Sequence, residues 1–174
     1  MRILIPFLMA IPGVAFAASD DPPPKPTNTT KSCEGAKVWD PATQQCVTPK
    51  DASLDSDILY DAARELAYAG RFDDAQGVLA AMADQADDRV LTYWGFTHRK
   101  LGNLELANVF YEQAIAQNPD NILARSYMGQ GFVEEGRLDD AIAQWHEIKD
   151  RDGTGSWAEA SLREAIRTGT TYSY

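Results

Sequence analysis

Cysteine and histidine are scarce in this 174-residue chain, with two of each. Two cysteines exclude a four-thiolate zinc site and a scaffold of several disulfides. Two histidines are too few for a histidine-built metal site, so no metal or other cofactor is expected. Positive charge is also short: 16 Lys and Arg stand against 26 Asp and Glu, a formal net charge of −10. Neutralising phosphates needs a basic surface, which argues against a general nucleic-acid binder. The phosphate-cradling glycine loop, the HExxH pair and the Gly-x-Ser-x-Gly elbow are all missing, and an enzyme is not expected. What is present suffices for one packed domain, since 44% of the residues are hydrophobic.

The segment from Met1 to Ala17 has the form of an export signal. Arg2 and the amino terminus give a positive start, residues 3–11 an apolar run, and Pro12-Gly13 a break. Ala15-Phe16-Ala17 then supplies a small-x-small cleavage pattern. The run is shorter than the ~20 residues of a membrane-spanning helix, and Pro6 and Pro12 interrupt it. Cleavage near Ala17 predicts a periplasmic or secreted protein with no membrane span after processing; an uncleaved anchor is the other reading. Residues 18–32 contain DDPPPKPTNTTK, without apolar periodicity, and read as a disordered Pro-rich linker.

Cys33 and Cys46 enclose the next unit, residues 33–47. In an exported chain, two cysteines this close form most simply one disulfide. Asp40-Pro41-Ala42-Thr43 has the residues of a tight turn. Lys37-Val38-Trp39 and Gln45-Cys46-Val47 flank it as short strands, which predicts a bridged mini-hairpin plugged by Trp39. Closing such a loop stabilises by ~3 kcal/mol. A redox pair is the alternative reading, although CxxC spacing is missing. Residues 48–54 read as a second linker, making the hairpin separable from the rest of the chain.

The remainder repeats itself. Gly70-Arg71-Phe72-Asp73-Asp74-Ala75 aligns with Gly102-Asn103-Leu104-Glu105-Leu106-Ala107 and with Gly136-Arg137-Leu138-Asp139-Asp140-Ala141. The starting glycines set a period of roughly 34 residues, slightly shorter between the first two copies. Apolar residues at three- and four-residue spacing flank each copy, a helical signature. Each glycine falls where a left-handed residue ends a first helix, and the acids after it complement the dipole of a second. Gly95, Gly129, Ala107 and Ala141 are small where paired helices must approach closely. Trp94, Tyr111, Phe132 and Trp145 are bulky, as fillers between stacked pairs. Ser156-Trp157-Ala158-Glu159 is a capping-box start to one more helix, with Leu162, Ala165 and Ile166 inward and Glu159, Arg163, Glu164 and Arg167 in water.

These residues resemble the tetratricopeptide repeat (TPR) family. The middle repeat carries the family pattern in Leu91, Trp94-Gly95, His98, Ala107, Tyr111, Ala114 and Pro119. The next matches at Met128-Gly129, Phe132, Ala141 and Trp145, and departs at Arg125, Ile148 and Gly153. The first offers Leu59, Ala62-Ala63, Leu66, Ala75 and Leu79, and departs at Met82. The resemblance implies an all-α, right-handed α-solenoid of about three helix pairs within residues 55–168. Repeats fall at about 56–87, 88–121 and 122–155, with a cap helix at 156–168 and a tail at 169–174.

In that family, the first helices of successive pairs line a concave groove that takes peptide. The resemblance places Tyr60, Arg64, Tyr68, Arg89, Thr92, Phe96, Arg99, Lys100, Ser126, Gln130 and Val133 on it. An acidic chain thus gathers cations beside rings on one surface, which suits an acidic or C-terminal carboxylate segment; ordinary solvated charge is the other reading. The Lys/Asn arrangement of the family's chaperone-tail clamps is missing. His98 and His146 lack a companion nucleophile and read as packing or surface residues. The expected function is a non-catalytic protein- or peptide-binding adaptor in the periplasm or cell envelope. The alternative is a structural or self-associating component whose groove is filled by another copy or by its own N-terminal segment.

Overall fold

A computed structural model describes residues 22–50 and 54–171. The export signal and the expected cleavage site lie outside the described residues. The described chain begins with a short helix α1 (Asn28–Ser32) and two strands, β1 (Val38–Asp40) and β2 (Gln45–Val47). Longer helices come next: α2 (Ser56–Tyr68), α3 (Phe72–Leu79), α4 (Asp88–Lys100), α5 (Leu104–Gln117), α6 (Ile122–Glu134), α7 (Leu138–Lys149) and α8 (Trp157–Thr168). They pack as sequential pairs, α2 with α3, α4 with α5 and α6 with α7, and α8 closes on both α6 and α7. The first helices also touch one another, α2 against α4 and α4 against α6.

The sequence similarity of the pairs is repeated in their hydrogen bonds. Gly70, Gly102 and Gly136 adopt φ of 75°, 84° and 75° at the ends of α2, α4 and α6. The residue after each donates back to the last turn: Arg71 N to Leu66 O, Asn103 N to His98 O, and Arg137 N to Phe132 O, at 2.8–2.9 Å. One turn geometry thus reverses the chain three times, using a residue without a Cβ penalty where φ is positive. Asp55, Asn121 and Ser156 cap α2, α6 and α8 by accepting from the amides of Ile58, Ala124 and Glu159. The second helices continue from the turn without a side-chain cap. Their first-turn acids serve instead, and Arg71 and Arg137 each bind the carboxylate three residues on, Asp74 and Asp140, at 2.8 Å.

Small residues set the helix spacing. Ala107 and Ala141 are buried, and Gly95 faces the Tyr111 ring. Gly129 instead meets the Leu162 methyls of α8, so its small size serves the cap helix. Tyr111 and Phe132 are buried as expected, whereas Trp94 and Trp145 are only partly buried. Their rings lie at the rim, Trp94 stacked on Phe110 and His98. Trp145 donates to Glu159 at 2.7 Å. Glu159 is therefore buried rather than facing water, and it also accepts from Arg163.

The Cys33–Cys46 disulfide closes the hairpin, with Trp39 opposite Cys46 in an antiparallel register. Asp40 holds the turn, accepting from Ala42 N at 2.8 Å and Thr43 Oγ1 at 2.7 Å. Three sequence expectations are corrected here. The end of the Pro-rich stretch is ordered, as α1. Val38, not Trp39, is the buried plug, because Val38 belongs to the core that includes α2 while Trp39 stays partly exposed. The hairpin is also not separable: Ala36 abuts Gly77 of α3, and Arg71 donates to the carbonyls of Cys33 and Gly35 at 2.9 and 2.8 Å.

Candidate functional site: the first-helix face

The mutual contacts of α2, α4 and α6 bring the expected groove residues together as one layer of side chains. Tyr60, Arg64 and Tyr68 come from α2, Arg89, Thr92, Phe96, Arg99 and Lys100 from α4, and Ser126, Gln130 and Val133 from α6. All are buried except Arg89 and Lys100, which are partly exposed. Tyr68 stacks on Phe96 with centroids 5.5 Å apart, and its hydroxyl meets that of Tyr127 at 2.5 Å. Phe96 and Tyr127 are 4.8 Å apart, and Tyr60 meets Tyr93 edge-on at 5.7 Å. Trp157 of α8 adds its ring against Tyr68 and Tyr127.

The cations are largely answered from within the chain. Arg64 donates to the Tyr93 hydroxyl and to the Pro22 carbonyl, each at 3.2 Å, and pairs with Asp61 at 3.7 Å. Arg89 binds Asp87 at 3.0 Å and Asp57 at 3.3 Å, with its guanidinium 4.8 Å from the Tyr60 ring centre. The Arg99 side chain is 0% exposed and donates to Glu134 at 2.8 Å. Lys100 lies over Phe96, and burial together with the neighbouring Arg99 charge pushes its pKa down to about 8, against the pull of Glu134. A lysine of that pKa is still mostly charged at neutral pH. The face is thus cationic and aromatic, with intramolecular carboxylates at its edges.

The α6 end of the face is spent on the cap helix. Ser126 donates to the Ala158 carbonyl at 2.8 Å and meets Ser161 at 3.1 Å, and Gln130 donates to Ser126 at 3.3 Å. Thr92 accepts from Asn121 at 3.0 Å, part of a polar knot with Asp88 and Asn118 that fixes the turn into α6.

The α2 end is covered by residues 22–30. Glu65, which is 6% exposed, accepts from Thr27 N at 2.7 Å, Thr27 Oγ1 at 2.6 Å, Thr30 N at 3.0 Å and Thr30 Oγ1 at 2.5 Å. Burial pushes the Glu65 carboxyl up, but these four bonds outweigh it and hold its pKa below the ordinary glutamate range.

Sequence reasoning missed Tyr93, Tyr127 and Glu65. The first two were within reach, because they occupy equivalent positions of successive repeats. Glu65 carried no local signal. His98 is sandwiched beside Trp94 and Phe110, and burial lowers its pKa. Among the described residues no helix is long and apolar enough to cross a membrane. Comparison with family models, with curated proteins and with solved structures finds no match for this chain.

Proposed function

We propose that this chain is a non-catalytic adaptor of the TPR type that binds a protein or peptide segment along its first-helix face. The observation that carries this reading is the contact of α2 with α4 and of α4 with α6, which gathers Tyr60, Arg64, Tyr68, Tyr93, Phe96, Arg99 and Tyr127 into one buried layer of rings and cations, with Arg89 and Lys100 as its partly exposed edge. Rings beside cations suit extended segments with carbonyl or carboxylate acceptors. The same left-handed turn at Gly70, Gly102 and Gly136, and the close contact of Gly95 with its paired helix, support the TPR assignment. The Cys33–Cys46 disulfide supports an oxidising compartment, hence the periplasm or cell envelope.

A second reading is favoured by one contact. The Pro22 carbonyl accepts from Arg64, so the chain's own N-terminal segment already occupies part of the face. Crosslinking from the exported fraction separates the two. Lys100→Glu and Arg89→Glu alter the least buried cations and should reduce capture of a foreign partner while leaving the melting curve near wild type. Capture unaffected by either substitution would reject the first-helix face as the binding surface.

A further inference from the structure

We propose that residues 22–30 are an intramolecular ligand of the α2 end of this face, and that a partner segment of the same chemistry binds by displacing them. The proposal deepens the adaptor reading and rests on it. The chemistry is a proline-containing segment that runs into one helical turn, with hydroxyl residues at its N-cap, Thr27, and three positions on, Thr30.

Three observations carry it. First, one buried carboxylate, Glu65, takes four hydrogen bonds from Thr27 and Thr30, and each threonine gives both its amide and its hydroxyl. A carboxylate with its lone pairs so fully used is a recognition element, and the loss of one such bond weakens a contact by roughly tenfold or more. Second, the preceding residues touch the face through main chain, since it is the Pro22 carbonyl that Arg64 holds. A carbonyl contact is available to any extended segment, and a proline-rich one loses little freedom on binding.

Third, the strap is held differently from the hairpin beside it. Pro22, Pro23, Lys25, Pro26, Thr27 and Asn28 are all exposed, so the strap buries little apolar surface and depends on polar bonds. The hairpin is anchored by buried Val38, by Ala36 against Gly77, and by Arg71. Thr29 belongs to this second anchor, because its hydroxyl accepts from Trp39 N. Thr29 is thus a pivot: residues 22–28 can swing away from Arg64 and Glu65, and Thr30 lets go of Glu65 as the single turn of α1 opens, while the disulfide unit stays docked. Its attachment to the chain gives it a high effective concentration, so a free segment competes poorly until the strap is weakened.

The test uses the full chain and a labelled synthetic peptide of residues 22–31, with fluorescence anisotropy as the readout. The double variant Thr27→Ala, Thr30→Ala removes two of the four bonds in cis, whereas the peptide can form all four. Peptide affinity should be at least tenfold higher for the double variant than for wild type. Adding Glu65→Gln to the double variant should abolish the gain. No binding to a double variant that keeps its disulfide and helical circular dichroism would overturn the proposal, as would a gain that survives Glu65→Gln. Self-association of the double variant without peptide binding would assign the site to a second copy and overturn it too. Partner crosslinks that increase in the double variant support displacement. Crosslinks unchanged by both the threonine and the Glu65 substitutions overturn the strap while leaving the adaptor reading intact.

Discussion

Gly95 lies so close to the ring of Tyr111 that a Cβ at position 95 would come within 2.5 Å of Cε1. Tyr111 is fully buried and cannot swing away. Gly95→Ala should therefore destabilise by about 1–3 kcal/mol through overpacking. Gly129 offers a control in the same repeat position. A Cβ there meets the Leu162 methyls at 2.7 and 2.8 Å; Leu162 is fully buried too, but its methyls end a flexible side chain that can change rotamer where the rigid Tyr111 ring cannot. Gly129→Ala should cost less. Chemical denaturation of the two variants checks the order, and equal midpoints would contradict the assigned packing.

Arg99 and Glu134 form a pair in which the arginine side chain is wholly buried. Reversing Arg99 would bury a carboxylate with no cation beside it, close to the more exposed Glu134. Arg99→Glu should cost about 3–5 kcal/mol, the range for leaving a buried charge uncompensated. Lys100→Glu should cost less, because Lys100 is partly exposed. The practical consequence is that a loss of binding in Arg99→Glu reports folding, and Lys100→Glu is the informative variant. A wild-type melting curve for Arg99→Glu would refute the burial.

The acid response of the strap comes from Glu65. Its pKa is lower in the folded chain than the ordinary 4.5, so its bonds to Thr27 and Thr30 stabilise fully above that value. The contribution is lost as pH falls through the lower, folded-state value. Glu65→Gln should lower the melting temperature at pH 7, and the gap to wild type should narrow as pH drops below about 4.5. Thermal melts from pH 7 to pH 3 decide this. A gap that stays constant over the range would mean the charge on Glu65 does not hold the strap.

The repeat was legible because its determinants are local. Gly70, Gly102 and Gly136 mark the three turns through a positive φ that few other residues adopt, and the N-cap Ser156 bonds to a residue three positions away. The face was legible in composition but not in exposure. Helical periodicity states which residues share a side, not what covers that side. Arg64 and Arg99 read as groove-facing cations, with solvated charge as the alternative, yet both are buried and the groups they bond, Tyr93 and Glu134, belong to other helices. The strap was opaque for the same reason. Thr27 and Thr30 sit in a stretch whose composition signals disorder, and their acceptor Glu65 lies in α2, beyond the whole hairpin. Trp94 misled through its size, since a large ring in a repeat pattern fits the rim as well as the core.

The disulfide should stabilise the helical stack as well as its own loop. In the open form, Cys33 and Cys46 leave the chain between them free to spread, and closing a loop of this size is worth ~3 kcal/mol. That energy would remain local if the hairpin hung from a linker. It does not, because Val38 is part of the core with α2, and Arg71, which donates to Cys33 and Gly35, sits in the turn joining α2 to α3. Cys33→Ser with Cys46→Ser should lower the midpoint of the helical transition seen by far-ultraviolet circular dichroism. Deleting residues 18–50 should lower it further, by removing Val38 and the Thr27 and Thr30 bonds together. Arg71→Ala should fall between wild type and the double serine variant. A helical transition that is indifferent to all three changes would return the hairpin to the status of an appendage.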